Sequence, residues 1–310
     1  MIKTYFINGF LESGKTTFIK NLFEQDYFKT GERTLLLLCE EGEEEYDEVI
    51  LKKDNIFVAE IEDEENFTPE YITSIEKEIK PTRVIIEFNG MWNRKEIDFP
   101  WYWDKPVEIA LFDASIFEMY SKNMKSMVSE QVRNAALVIF NRCDSLISKL
   151  PGYRRNVMAV NTGIKVSFED KNGEIKSRFD EDLPYDISKQ KINITNKSYA
   201  TFYIDAMENI DRYIGKNVSL TAMVMKKSED NSNTLVIGRF VMTCCADDMS
   251  VFGFICDFDS ETDLDLDDWI FVNAIVEKEY AEKYDTWYPV LHIASYNKCE
   301  APQNEVIEDL

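Results

Sequence analysis

Long hydrophobic runs are missing from this 310-residue chain. No apolar stretch approaches the roughly 18 residues that a bilayer-spanning helix needs, so direct membrane insertion is not expected. The N-terminal residues show no basic stretch followed by an apolar signal core, because a buried-strand pattern already begins at Ile2. The expected location is therefore cytoplasmic. Positive charge is scarce as well: 35 Lys and Arg face 58 Asp and Glu, for a net charge of −23. A surface this acidic repels nucleic acid and anionic lipid, whose recognition needs clustered cations. Histidine is reduced to His292, within the apolar run Val290-Leu291-His292-Ile293, where it reads as a packed residue before a ligand. Six cysteines (Cys39, Cys143, Cys244, Cys245, Cys256 and Cys299) read in such a compartment as thiols or metal ligands before disulfides.

What is present is a globular composition, 45% hydrophobic and 13% aromatic, long enough for two domains that each bury a core. The stretch Gly9-Phe10-Leu11-Glu12-Ser13-Gly14-Lys15-Thr16-Thr17 fits G-x-x-x-x-G-K-[ST]. It lies between a buried-strand pattern (Ile2 to Ile7) and a helix opening (Thr17 to Phe23). In that context the loop's N–H groups wrap phosphate oxygens, Lys15 reaches the β- and γ-phosphates, and the Thr16 hydroxyl holds Mg²⁺.

Further along, Arg33-Thr34-Leu35-Leu36-Leu37-Leu38 has the continuous apolar character of a parallel strand covered on both faces. Beyond its carboxyl end, where α/β sheets bind ligands, comes the acidic loop Cys39 to Asp47. Thr68-Pro69-Glu70 has the chemistry of a helix start, with that helix stopping before Pro81. Arg83-Val84-Ile85-Ile86-Glu87 ends in a carboxylate where a P-loop protein holds Mg²⁺, and Gly90 can offer an N–H to the γ-phosphate. Ala136 to Phe140 reads as a strand tipped by Asn141-Arg142-Cys143-Asp144. There the Asp144 carboxylate can accept from the guanine N1–H and exocyclic amine while Asn141 braces loop and purine. Adenine offers neither donor in that arrangement. Val157 to Asn161 is expected to close the sheet.

The order GFLESGKTT, acidic loop, EFNG and EQVRNAALVIFNRCD resembles the CobW-like metal-insertion and metallochaperone GTPases over roughly residues 1–165. Their pattern is GFLGSGKTT, NEFGxxGxD, ExxG and NKxD, with a Gln-containing helix before the last. The resemblance implies GTP hydrolysis with Lys15 and Thr16 in P-loop roles and Glu40 and Asp47 in a switch loop near Mg²⁺ or water. It further implies Glu87 and Gly90 as the Mg²⁺ and γ-phosphate elements, and Asn141 and Asp144 reading guanine. Gly9, Glu12, Ser13, Gly14, Thr17 and Arg142 complete the nucleotide site. Cys39 departs from the pattern's Asn. Arg142 stands for its Lys, with a guanidinium that stacks on a base in the same way. The family's Cys-x-Cys-Cys motif is missing, and no cysteine lies between Cys39 and Glu87. A thiolate metal site is therefore not expected in this domain.

The polar segment 162–197, with a hairpin tip over Glu169 to Glu174, leads to a boundary near residue 185, giving domains at 1–185 and 186–310. After the apolar run Tyr199 to Ile204 and a helical segment from Ala206 to Tyr213, five strand patterns follow: Val218–Met225, Leu235–Cys244, Val251–Phe258, Trp269–Val276 and Tyr288–Tyr296. Such a succession predicts a small OB-like β-barrel. Residues 201–310 carry 22 acidic against 8 basic side chains, which argues against the nucleic-acid use of such barrels. The acidic run Asp257 to Asp268 has Thr262 where a calcium loop needs glycine, and reads as a solvated loop.

Arg239-Phe240-Val241-Met242-Thr243-Cys244-Cys245-Ala246-Asp247, with Gly215-Lys216 before it and Cys299-Glu300-Ala301-Pro302 after it, resembles the C-terminal domain of YcgQ-like proteins, which accompany predicted permeases. Two readings of Cys244, Cys245 and Asp247 stand. They form a second metal or redox site, holding Zn²⁺ or another transition metal and completed by Cys256, Cys299 or His292. Alternatively they are small buried residues beside a turn, since neighbours on a strand point to opposite faces. The chain is thus expected to be an α/β P-loop domain with a mainly parallel sheet, followed by the barrel. Its expected cofactors are GTP and Mg²⁺, and hydrolysis is expected to switch loops 39–47 and 87–93. The expected role is metal trafficking or support of a permease. The alternative is a low-turnover, GTP-dependent adaptor for a permease or metalloprotein.

Overall fold

Leu35, Leu36 and Leu37 are fully buried in consecutive positions, as a strand covered on both faces requires. They belong to β2 (Thr34–Leu38) in the computed structural model, which describes residues 2–40, 42, 44–175, 183–228, 233–242, 249–283 and 285–307. The chain divides into two compact units, residues 1–157 with 163–178, and residues 158–162 with 179–310.

The first unit is built on an eight-stranded sheet. Its strands are β1 (Lys3–Asn8), β2, β3 (Ile56–Glu60), β4 (Arg83–Glu87), β5 (Val107–Asp113), β6 (Leu137–Asn141), β7 (Lys165–Asp170) and β8 (Gly173–Glu174), in the order β3-β2-β4-β1-β5-β6-β7-β8. Every neighbouring pair is parallel except the β7–β8 hairpin. Helices α1 (Lys15–Glu24), α2 (Glu48–Lys53), α3 (Pro69–Ile79), α4 (Phe117–Asn123), α5 (Lys125–Arg133) and α6 (Leu150–Val160) lie between the strands in sequence.

Alternate strand residues feed two cores. Phe6, Leu35, Leu37, Val84 and Ile86 share one cluster, while Ile7, Leu36 and Ile85 join Ile19 and Phe23 of α1 in the other. Strand β1 has β4 on one side and β5 on the other, so the chain changes direction across the sheet there. The carboxyl ends around such a reversal form the crevice in which α/β sheets bind ligands. The expected start of α3 is present: Thr68 Oγ1 accepts from the Tyr71 N–H at 3.2 Å, with Pro69 as the first helical residue.

One expected element differs. Residues from Val157 onward end α6 and do not close the sheet. Buried Leu150, Tyr153 and Val157 are spaced by three and four, the helical period, which the short apolar run concealed. The sheet is extended instead by β7, where only Phe168 is buried and the sequence is largely polar. The hairpin over Glu169 to Glu174 is where it was expected, with Glu169 opposite Glu174.

In the second unit the five strand patterns are β10 (Asn217–Lys227), β11 (Thr234–Met242), β12 (Met249–Phe258), β13 (Trp269–Ala281) and β14 (Thr286–Lys298), with short β9 (Lys191–Asn193) and β15 (Val306–Ile307) added at the ends of the sheet order. Pairing runs β10–β11–β12–β14–β13 and returns to β10; β12–β14 is parallel and the others antiparallel. Val218, Leu220, Ala222 and Val224 of β10 alternate as its buried apolar positions. Helix α7 spans Tyr199–Glu208, starting earlier than expected. Residues 199–206 are all buried, so the helix lacks the polar face by which sequence reading finds one. A 3-10 turn over Asn196–Ser198 leads into it, closed by a capping box in which the Ser198 hydroxyl accepts from the Thr195 N–H at 2.8 Å.

Candidate nucleotide site

The loop after β1 turns on residues that a strand or helix would not accept. Gly14, which caps the N-terminus of α1, has φ +92°, and a Cβ there would come within 2.8 Å of Asn141 Nδ2. Glu12 also lies in the left-handed region, at φ 59°, a conformation that costs a residue with a side chain about 1 kcal/mol. Arg142 holds that turn: its guanidinium donates to the Glu12 carbonyl at 3.0 Å and pairs with Asp113 at 2.5 Å. Burial pushes the Asp113 carboxyl up, but hydrogen bonds from Ser115 and Arg142 more than offset it and leave it below its usual range.

Lys15 is almost wholly buried, and its ammonium has three oxygen partners: the Gly9 carbonyl at 2.8 Å, the Phe10 carbonyl at 2.9 Å and Glu40 Oε1 at 2.6 Å. Burial raises the Glu40 carboxyl above its ordinary value although Lys15 pulls it down. Beside them, the Thr16 hydroxyl donates to Glu87 Oε1 at 2.6 Å and the Tyr46 phenol donates to Glu87 Oε2 at 2.5 Å. Burial, reinforced by the Glu87 carboxylate, pushes the Tyr46 phenol far above its usual range and keeps it a donor. Glu44 is tied to α1 by Thr17 Oγ1 at 3.1 Å and Lys20 Nζ at 2.8 Å, bonds that hold its carboxyl below the usual range.

Gly90 presses against the same loop. A Cβ on it would fall 2.2 Å from the Gly9 carbonyl oxygen, so the close approach requires glycine. Buried Gln131 of α5 donates to the Gly90 carbonyl at 3.0 Å. At the tip of β6, Asn141 Nδ2 donates to the Ser13 carbonyl at 2.7 Å.

Two adjoining cavities result. One of about 130 Å³ is lined by Lys15, Thr16, Glu40, Glu44 and Glu87, and one of about 490 Å³ by Asn141, Asp144, Lys171, Phe18 and Leu22. Gly14, Thr17 and Arg142 line both. The smaller matches a phosphate end and the larger a nucleoside end. Hydroxyl and carboxylate oxygens of Thr16 and Glu87 within 2.6 Å of one another make a hard-oxygen donor set that suits Mg²⁺. Asn141, at the wall of the larger cavity, keeps its Oδ1 buried and without a hydrogen-bond partner.

A family model described as the CobW/HypB/UreG nucleotide-binding domain matches residues 3–167. The chain belongs to the CobW/HypB/UreG family. A second model, the DUF1980 C-terminal domain, matches residues 170–307. The UPF0703 protein YcgQ of Bacillus subtilis (strain 168) is 24% identical over 124 residues, 39% of this chain and 42% of that protein. The match thus spans less than half of that curated relative. Among solved structures, the hydrogenase maturation factor HypB of Archaeoglobus fulgidus is similar at 14% identity and TM-score 0.41, over 55% of this chain and 84% of that one. The Zn(II)-bound YjiA GTPase of E. coli is similar at 12% identity and TM-score 0.42, over 94% and 88%.

Of the residues named from sequence, this CobW/HypB/UreG-family chain brings together Gly9, Glu12, Ser13, Gly14, Lys15, Thr16, Thr17, Glu40, Glu87, Gly90, Asn141, Arg142 and Asp144 around the two cavities. Asp47 does not line either cavity: its exposed carboxylate is the cap of α2, accepting from the Val49 N–H at 2.7 Å. Tyr46, its neighbour, is the loop residue hydrogen-bonded to Glu87. Gln131 and Lys171 were also missed. The first could have been found from the family's Gln-containing helix; the second sits in a polar hairpin with no local signal.

Cys244, Cys245 and Asp247 lie outside the described residues. Among the described residues no three His, Cys, Asp or Glu side chains gather as a metal site. Cys256 is fully buried, its thiol pushed far up by that burial, and Cys299 is exposed. His292 stands partly exposed, 3.3 Å from Asp259. Among the described residues no helix is long and apolar enough to cross a membrane.

Proposed function

We propose that this chain is a Mg²⁺-dependent GTPase whose nucleotide state sets the loops at 39–47 and 87–93. The observation that carries the reading is the junction of the two cavities at Gly14, Thr17 and Arg142, with Lys15, Thr16 and Glu87 at one end and Asn141 and Asp144 at the other. Bound Mg²⁺ supplies charge neutralisation across the β- and γ-phosphates. Thr16 and Glu87 would hold it, and Lys15 exchanges its carbonyl partners for phosphate oxygens and stabilises the charge that spreads over the transferred phosphoryl group. Gly90, in contact with the Gly9 backbone, transmits the presence of the γ-phosphate to the segment that follows it.

The test is multiple-turnover phosphate release from GTP and ATP by the full chain and by Lys15→Ala. Release from GTP above the Lys15→Ala level is expected. GTP binding without such release identifies the low-turnover adaptor instead, and tight binding of ATP but not GTP defeats the guanine assignment.

The second unit is read as an OB-like barrel, from the closed pairing of β10, β11, β12, β14 and β13 with β12 parallel to β14. Its acidic balance favours a cationic or protein partner over nucleic acid. The wider role proposed is metal trafficking or support of a permease, with zinc or another transition metal as cargo at Cys244, Cys245 and Asp247. Zinc stoichiometry on the wild type and a Cys244→Ala/Cys245→Ala variant tests this, and equal content in both removes that site.

A further inference from the structure

Glu87 is held at both oxygens, and the two holders come from different parts of the chain. Thr16, at the head of α1, donates to Oε1 at 2.6 Å; Tyr46, from the acidic loop, donates to Oε2 at 2.5 Å. A hydroxyl that ligates a cation keeps its proton for a neighbouring acceptor, so the Thr16–Glu87 bond is compatible with Thr16 acting as a metal ligand. The orientation of the carboxylate then depends on what fixes the other oxygen. The Tyr46 ring is itself fixed: it packs against the core cluster that contains Ile19 and Phe23, its centroid 6.4 Å from that of Phe23, with Lys20 Nζ 5.9 Å above it. A rotor-limited aromatic donor pinned by packing is a device for setting a carboxylate's angle.

We propose that Tyr46 is the positioning residue of the divalent-cation site, locking Glu87 so that cation binding and the docking of Glu44 and Tyr46 against α1 become one event. The inference rests on the GTPase reading and goes beyond it. The phenol sits on the loop and its acceptor on the strand that leads to Gly90. Cation affinity therefore depends on that docking, and the cation in turn stabilises it, as reciprocal coupling requires. Glu44, bonded to Thr17 and Lys20, is its second contact with α1.

The experiment uses Tyr46→Phe in the full chain, which keeps the ring and removes only the donor. Affinity for a fluorescent guanine nucleotide is measured across a Mg²⁺ series, starting in EDTA. In the wild type the affinity should rise with Mg²⁺. In Tyr46→Phe the Mg²⁺ concentration giving half of that rise should increase about tenfold, the loss of one hydrogen bond to a charged group. Affinity in EDTA should be unchanged. Equal half-points in the two proteins overturn the proposal, as does a loss of affinity that is the same in EDTA and in Mg²⁺, which would mark a packing role. Wild-type binding that ignores Mg²⁺ overturns it while leaving nucleotide binding intact. Absence of nucleotide binding by the wild type defeats the GTPase reading itself, and the proposal with it.

Discussion

Lys15 Nζ and Glu40 Oε1 stand 2.6 Å apart at the head of α1, with the lysine side chain 2% and the glutamate side chain 9% exposed. An ion pair so enclosed gives up the hydration of both charges. The Glu40 carboxyl records the balance: burial raises it above the ordinary glutamate value, and the attraction of Lys15 does not cancel that.

The sign of the pH dependence follows. Folded Glu40 holds its proton more tightly than unfolded Glu40, so its favourable contribution is complete below the ordinary glutamate range. That contribution is lost as pH rises through the raised folded value. The difference in thermal midpoint, wild type minus Glu40→Gln, should therefore shrink from about pH 4.5 upward. Scanning calorimetry of both proteins across this range reads it directly. A difference that stays flat or grows with pH would show that Lys15 outweighs burial.

How much of this was legible in sequence depends on what each residue does locally. The phosphate loop and the Asn141–Asp144 pair were readable because their chemistry is fixed by short spacing after a strand. Glu87 was readable as a strand tip. Tyr46 was not, because its partner lies 41 residues away and nothing in an acidic loop singles out the phenol. Asp47 was legible as an acidic loop residue, but its capping of α2 was not, because a carboxylate before a short helix satisfies a capping pattern and a switch pattern equally well. In the second unit the alternating strands were plain, whereas α7 hid behind its uniformly buried faces.

Arg239, the residue that opens the distinctive motif of the second unit, is 1% exposed. Its guanidinium donates to Asn196 Oδ1 at 2.9 Å and to the carbonyls of Asn304 at 2.5 Å and Glu305 at 3.2 Å, with the Trp269 ring 5.0 Å away. It therefore fastens the segment that enters β15. Arg239→Lys should lower stability by about 1.5 kcal/mol, since one buried ammonium cannot reproduce the planar fork that reaches all three acceptors. Hydrogen exchange should show the loss concentrated at 304–307. Unchanged protection there would mean that the β11–β15 pairing alone holds the segment.

Asp144 lines the larger cavity with Asn141, and its Oδ1 lies 3.4 Å from the Lys171 backbone N–H. A carboxylate has only acceptors to offer, so it selects a base edge with two donors, the N1–H and amine of guanine. Replacing one acceptor oxygen by an amide NH₂ changes the preferred edge to one with a donor beside an acceptor, which is xanthine, whose C2 carries oxygen. Asp144→Asn should therefore bind GTP about 100-fold more weakly, within the range expected when a buried polar group loses its match. Its preference should move toward XTP. Because Lys15, Thr16 and Glu87 are untouched, Mg²⁺ should still strengthen XTP binding in the variant. Competition binding with the two nucleotides, with and without Mg²⁺, measures both effects. GTP affinity within twofold of the wild type would remove Asp144 from base recognition and turn attention to Lys171 and the hairpin backbone beside it.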